Sequence, residues 1–243
     1  MSVTPASAGG VWVIVAAAGE SRRMGLPEGE SKQFLLLTGE PVICHSVRRL
    51  CAIEQVNGLV VVLHPSHVVR FADLPVIDEV GKPVLIAEGG RQRSDSVRAG
   101  LAAVPAEADV IAVHDGARPL FGRHVFLDCL AAVAGPDGAD GAVPAMAVVD
   151  TLKRADGDGR VLRTVDRRDL WAVQTPQVFK AAALRAAYEG SRHATVTDDA
   201  ALLEHTGASV VVVPSTPANV KITTPADLPL AGALLSWETE ADV

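Results

Sequence analysis

The chain has no excess of positive charge: 29 acidic against 22 basic residues give a net charge of −7 and a pI near 5.5. No global basic field is therefore available to hold DNA or RNA, and a polyanionic ligand must be met by a local cluster of cations. Lysine is scarce, with only Lys32, Lys82, Lys153, Lys180 and Lys221, so a lysine inside a motif carries weight. Cysteine is scarcer still. Cys44, Cys51 and Cys129 show no CxxC or Cys/His spacing, which argues against a disulfide framework or a zinc site and fits a reducing cytoplasm. Cys44 and Cys51 lie seven apart in a helical pattern and read as small buried apolar residues.

No apolar stretch approaches the ~18 residues a membrane span needs. The run at 11–17 is short for a signal sequence and has no Lys or Arg before it, so it reads as a buried strand behind a loose leader, residues 1–9. No Ser-His-Asp or Cys-His arrangement for nucleophilic catalysis stands out. What is present is a chain of 243 residues, 49% hydrophobic and 21% charged, without repeats or low-complexity tracts. That composition suits one globular domain over 1–243 with a substantial core.

Continuous apolar runs recur at 11–17, 59–63, 83–87, 109–114, 141–149 and 209–214. Helical patterns lie between them at 41–52, 66–73, 94–103, 123–134, 180–189 and 198–206, with a last one at 225–236. Solid apolar strands alternating with helices predict a three-layer α/β fold around a mostly parallel, Rossmann-like sheet. Ligands in such sheets sit at the carboxyl ends of the strands, so the informative residues should follow each run. One region breaks the alternation. Residues 150–171 are polar, read as two short strands, and turn through "ADGDGR", whose Asp-Gly pairs are hairpin signals. With little to bury, this hairpin is expected to project as an arm and to be stabilised by a second subunit.

Four stretches at the strand ends carry chemistry. "AAGESRRMGLPEGESK", 17–32, is neither a Walker loop nor a dinucleotide fingerprint. Its small residues allow backbone N–H groups close to a ligand, Arg22 and Arg23 add cations, and Pro27 and Gly29 place Lys32 at the end of a mobile loop. "EGGRQRSDSV", 88–97, follows the third run. Its Gly-Gly pair and hydroxyls suit an anion, a base edge, or simply a turn with Ser94 or Asp95 as helix cap. In "VHDGARP", 113–119, Asp115 follows a buried strand, where a hard cation bridging phosphates would be held, and His114 completes the strand or orients Asp115. In "PANVKITTPADL", 217–228, Lys221 lies in an extended segment that either snorkels or enters the site, ahead of Thr224 and Pro225 as a helix cap and first residue.

Together with "DTLKR", "VDRRDLW", "QTPQVF" and "TDDA", these stretches resemble, in order and over 11–236, the cytidylyltransferases of the non-mevalonate isoprenoid pathway. The resemblance implies a nucleotidyltransferase fold with a β-arm that interlocks a homodimer. It implies transfer of CMP from CTP to 2-C-methyl-D-erythritol 4-phosphate with release of pyrophosphate. By motif, Arg23 and Lys32 would stabilise triphosphate charge, and Asp115 would hold Mg²⁺. Backbone at Ala16, Ala17, Ala18 and Gly19, with Gly90 and Ser96, would read the cytosine. Arg167 and Lys221 would position the acceptor, with Thr151 and Arg167 arriving from the partner's arm, and Thr175 and Thr197 match further acceptor positions. Two departures stand out: Ala218 occupies a place where the family often has Asp, and the 24–32 loop is longer than in many relatives.

The chemistry suits these residues. A phosphate monoester, with a second pKa of ~6, is already an anion at neutral pH and needs no general base. Positioning and electrostatic stabilisation are then what the protein must supply. The same residues leave open D-ribitol 5-phosphate as acceptor, a sugar-1-phosphate nucleotidyltransferase, and a nucleotide-sensing module without catalysis.

Overall fold

A computed structural model describes residues 9–190 and 197–241. Residues 1–8 of the expected leader lie outside the described residues. Strand β1 (Val11–Ala16) is followed by a two-residue ribbon, β2 (Leu36–Leu37) with β3 (Glu40–Pro41). Then come α1 (Val42–Cys51), β4 (Val56–Leu63), α2 (Val68–Ala72), α3 (Val76–Glu79) and β5 (Val84–Glu88). The chain continues through α4 (Arg93–Ala103), β6 (Val110–Asp115), α5 (Arg123–Val133) and β7 (Gly141–Ala147). A hairpin, β8 (Leu152–Ala155) and β9 (Val161–Val165), precedes β10 (Trp171–Val173), β11 (Gln177–Lys180) and α6 (Ala181–Gly190). Last are α7 (Ala200–His205), β12 (Val210–Pro214) and α8 (Asp227–Ala241).

The main sheet has eight strands in the order β10-β7-β11-β6-β1-β4-β5, with β12 beside β7. The pairs β1–β4, β1–β6, β4–β5 and β12–β7 are parallel, while β11 and β10 run antiparallel to their neighbours. Its central strands are mainly apolar because both faces are covered there, and successive side chains go to opposite layers. Val11, Val13 and Val15 pack with Val47 of α1, Phe71 of α2, Val76 of α3 and Phe126 of α5. Ile14 packs on the other side with Leu101 of α4, Leu184 of α6 and Leu203 of α7. A third cluster, including Met24, Leu120, Ile222 and Ala231, ties α8 to the carboxyl edge of the sheet. The three cysteines are buried and unpaired, and burial pushes their thiols up to about 12, 11 and 12 for Cys44, Cys51 and Cys129, which leaves them inert at neutral pH. Among the described residues no helix is long and apolar enough to cross a membrane.

The alternation of runs and helices matches the sequence expectation, with local corrections. The strands β10 and β11 were not expected; each is short, and Pro176 lies between them. The arm ends sooner than residue 171, because Trp171 pairs with Ala147 in the main sheet. Its hairpin turns at Asp156, whose Oδ1 accepts the N–H of Asp158 at 3.0 Å and of Arg160 at 2.9 Å. Helix α4 begins at Arg93 rather than after Ser94 or Asp95, with Asp95 Oδ2 accepting the Gln92 N–H at 3.1 Å. Helix α8 begins at Asp227, not at Pro225, because the Asp227 carboxylate accepts the N–H groups of Thr223 and Thr224 at 2.8 and 2.7 Å.

Helix α4 lies so close on the sheet that a Cβ added at Gly100 would sit 2.6 Å from Ile14 Cγ2 and 3.0 Å from Val62 Cγ2. Alanine is the better helix former by about 1 kcal/mol, yet lifting α4 off two central strands costs about 1–3 kcal/mol. Gly100→Ala is therefore expected to lower the urea midpoint with an unchanged m-value. A raised midpoint would show that the sheet yields at no cost.

Candidate active site

The carboxyl ends of β1, β4, β5 and β6 lie level, with Ala16 opposite both Val62 and Asp115, and Leu63 opposite Glu88. The loops leaving them line a cleft of about 550 Å³. Five cationic side chains face it, Arg23, Lys32, Arg91, Arg93 and Lys221, against two carboxylates, Glu20 and Asp115. Ala16, Ala18, Gly19, Gly90 and Ser96 complete the part of the lining expected from sequence. An added Cβ at Gly19 meets nothing within 4 Å, so the fold leaves that approach to the backbone open. By contrast, one at Gly89 would lie 2.3 Å from Ala18 Cβ, because the loops after β1 and β5 touch there. Ala17 is buried and its N–H is spent on Val62 O at 2.8 Å, so it offers no donor to a nucleotide. Ser96 Oγ donates to Gln92 O at 3.1 Å.

Asp115 is the centre of the charge arrangement. Its Oδ2 accepts from Lys221 Nζ at 2.7 Å and lies 3.6 Å from Arg118 Nε, while Oδ1 lies 3.6 Å from Arg93 Nε. Burial pushes this carboxyl upward, but Lys221, Arg93 and Arg118 outweigh it and hold it well below the usual carboxylate range. Among the described residues no group of three or more His, Cys, Asp or Glu side chains comes together to cage a metal.

The turn that presents Asp115 is fixed by its own hydrogen bonds. His114 is fully buried, and its Nε2 lies 3.1 Å from Arg118 O. A carbonyl only accepts, so Nε2 carries the proton and Nδ1 is bare. The Thr175 hydroxyl therefore donates to Nδ1 at 3.1 Å and accepts the Asp115 N–H at 3.0 Å. Burial lowers the His114 pKa to about 3, which keeps the ring neutral as this network requires. Gly116 N–H donates to Ala16 O at 3.1 Å, Ser46 Oγ to Gly116 O at 3.1 Å, and Ile222 N–H to Ala117 O at 2.8 Å. Asn219, next to Ala218, donates through Nδ2 to Gln174 Oε1 and Thr175 O at 3.0 and 2.9 Å, tying the Lys221 segment to the same turn. That segment has no regular secondary structure.

Lys32 does not hang on a free tether. Both ends of the 24–32 loop are anchored, by buried Met24 and by buried Ser31, and the Lys32 N–H donates to Ser21 Oγ at 2.9 Å. Its Nζ donates to Ile222 O at 2.7 Å. Glu30 pairs with Arg70 at 3.2 Å, and Arg70 stacks 4.5 Å over the Phe34 ring. The Arg22 side chain lies outside the described residues.

Not every expected residue reaches the cleft. Thr175 sits behind Asp115 with its hydroxyl proton engaged, so it supports the site from below. Thr151 and Arg167 are exposed at the root of the arm, Arg167 donating to Val149 O, and neither lines the cleft of its own chain. Thr197 is exposed and does not line it either. Conversely, Arg93, Arg118 and Asp199 were assigned no role from sequence, although the motifs "GGRQRSDSV", "VHDGARP" and "TDDA" contain them.

Residues 11–237 match the family model described as 2-C-methyl-D-erythritol 4-phosphate cytidylyltransferase. The 2-C-methyl-D-erythritol 4-phosphate cytidylyltransferase of Parasynechococcus marenigrum (strain WH8102) is 40% identical over 226 residues, covering 92% of this chain and 97% of that protein. The bifunctional enzyme IspD/IspF of Anaeromyxobacter dehalogenans (strain 2CP-C) is 45% identical over 228 residues, covering 91% of this chain; the chain spans only 56% of that longer protein. Among solved structures, the 2-C-methyl-D-erythritol 4-phosphate cytidylyltransferase of Thermus thermophilus superposes with a TM-score of 0.74 at 32% identity, covering 93% of this chain and 98% of that one.

The geometry makes Lys32 a titrating group. Burial, reinforced by nearby Lys221 and opposed by Asp115, lowers its pKa to about 8, so its charge is lost as pH rises through that value. Labelling lysine at Cε and following its carbon shift against pH in the unliganded protein should show one lysine titrating near 8, absent in Lys32→Ala. Lys221→Met should move that titration upward, since a like charge is removed; no movement would mean the two amines are not coupled.

Proposed function

The chain belongs to the 2-C-methyl-D-erythritol 4-phosphate cytidylyltransferase family and transfers the cytidylyl group of CTP to 2-C-methyl-D-erythritol 4-phosphate in isoprenoid biosynthesis; on that premise we propose how its residues divide the work. The observation that carries the reading is a cleft with five cations to two carboxylates in a protein of net charge −7. Two polyanions must meet there. An acceptor phosphate oxygen attacks the α-phosphorus, the bond to the bridging oxygen of the β-phosphate breaks, and pyrophosphate leaves with the electron pair.

Arg23 and Lys32 take the triphosphate charge as it builds toward the leaving group. The open backbone at Gly19, with Ala16, Ala18, Gly90 and Ser96 beside it, receives the cytidine. Lys221 turns to the acceptor phosphate. Asp115 is a hard oxygen donor without a companion cage, a set that suits Mg²⁺ completing its shell with phosphate oxygens and water, not zinc. Bound there, the ion would neutralise phosphate charge and hold the α-phosphate in line. Lys221 sits on Asp115 Oδ2 and would turn from there to the acceptor phosphate, while Asp115 Oδ1 would be the oxygen offered to the metal.

A homodimer with exchanged arms is supported by what the arm exposes. Val149, Val161 and Leu162 are 73%, 62% and 61% exposed, and Trp171 and Val173 are 40% exposed, apolar side chains that one chain does not cover. In that assembly Thr151 and Arg167 would serve the partner's acceptor site. The cytoplasm is the compartment this reading implies, in keeping with three free buried cysteines.

Lys32→Ala and Lys221→Ala are each expected to lose about 10²–10³ in turnover with unchanged circular dichroism. Pyrophosphate release should require Mg²⁺, prefer CTP over UTP, ATP and GTP, and stop with chelator. Near-normal turnover in either variant would remove that residue's role. Sedimentation at assay concentration should give about twice the 25.3 kDa chain mass, and a single-chain mass would contradict arm exchange.

A further inference from the structure

Behind the cleft lies an ion chain that the division of work above does not use. Asp199, in the "TDDA" stretch ahead of α7, is fully buried. Its Oδ1 accepts the Tyr188 hydroxyl at 2.5 Å, and its Oδ2 is paired with Arg93 Nη2 at 2.7 Å. That second contact is ionic in character, as Oδ2 has no aligned hydrogen-bond donor. Arg93 Nε, on the same edge of the guanidinium, lies 3.6 Å from Asp115 Oδ1.

The guanidinium fork explains why this division matters. Nε and Nη2 form one edge, which normally grips a single carboxylate with two parallel hydrogen bonds. Here that edge is split between two carboxylates, and the shorter contact goes to Asp199. Without a charge at position 199, nothing holds Nη2 back, and the whole edge is free to close on Asp115. A buried carboxylate gripped in this way would surrender its oxygen to a metal only against a two-pronged charged contact.

We propose that Asp199 is a positioning residue: it anchors Arg93 from behind and so prevents that guanidinium from closing on Asp115 Oδ1, which stays available to a metal ion bound with the nucleotide. Tyr188 fixes the far oxygen of Asp199, and Arg98, 5.3 Å over the Tyr188 ring, backs the phenol. The inference rests on the reading that Asp115 holds Mg²⁺.

The test is the gain in CTP affinity that Mg²⁺ provides, measured by calorimetry with and without the ion and without acceptor. Asp199→Asn is nearly isosteric. It should cut the Mg²⁺-dependent gain by about tenfold to a hundredfold, the usual effect of losing a partner behind a metal ligand. Affinity for metal-free CTP should not fall, because a negative charge has been removed beside an anion site. A role in packing alone would weaken both affinities equally, and a role through the electric field alone would strengthen both; either result overturns the proposal. Arg93→Met with Asp199→Asn removes both charges, which protects folding where the single change does not. With no guanidinium to close on Asp115, the double variant should keep the gain within about threefold. A gain lost in the double variant also overturns the proposal. Asp115→Asn separates the two claims: a gain that survives it sinks the metal reading and this inference together, whereas a gain lost there but kept in Asp199→Asn sinks this inference alone.

Discussion

A carboxylate taken out of water must be matched by positive charge, and the carboxyl edge of this sheet is organised around meeting that demand for Asp115. Three separate parts of the chain bring the match: the first residue of α4, the turn after β6, and the segment before α8. Each is held by contacts of its own. Helix α4 is seated by Gly100 against Ile14, the turn by His114 and Thr175, and the last segment by Asn219 and the cluster around Ile222. Removing one cation therefore leaves the carboxylate to the other two, and only loss of all three would leave a buried charge unpaired.

The same arrangement reconciles an acidic protein with a polyanionic substrate. A uniformly basic surface would attract nucleic acids as readily as CTP. Concentrating five cations in one cleft, with carboxylates dispersed elsewhere, gives a positive field only within a Debye length, ~8 Å at physiological salt. Neutral His114 belongs to this economy: an imidazolium beneath Asp115 would add a fourth cation to a carboxylate already flanked by three, and burial prevents it.

Much of this was legible in the sequence, and the reasons are physical. Strands covered on both faces are mainly apolar, so β1, β4, β6 and β7 announced themselves as solid runs. Because the strands are parallel, the residues just after them had to converge, which is why Ala16, Gly19, Gly90, Asp115 and Lys221 come together. Short elements were harder. Strands β10 and β11 are held by their neighbours in the sheet and carry too few residues for a period to show. Helix starts moved because Gln92 with Asp95, and Asp227 alone, supply partners that several nearby polar residues could have supplied. Arg93 and Arg118 went unassigned because arginine is the common cation here, and Asp199 because burial of a carboxylate is a property of the fold and leaves no pattern in the chain.

Tyr188 is the chain's single tyrosine, and it holds the far end of the ion chain. Burial pushes its phenol far above the usual range, so it stays protonated and its hydroxyl keeps the contact with Asp199. One fluorinated or isotopically enriched tyrosine would thus give a spectrum of one line, free of overlap. The protein carries a built-in spectroscopic gauge of its active-site charge, readable from a ring that no substrate touches.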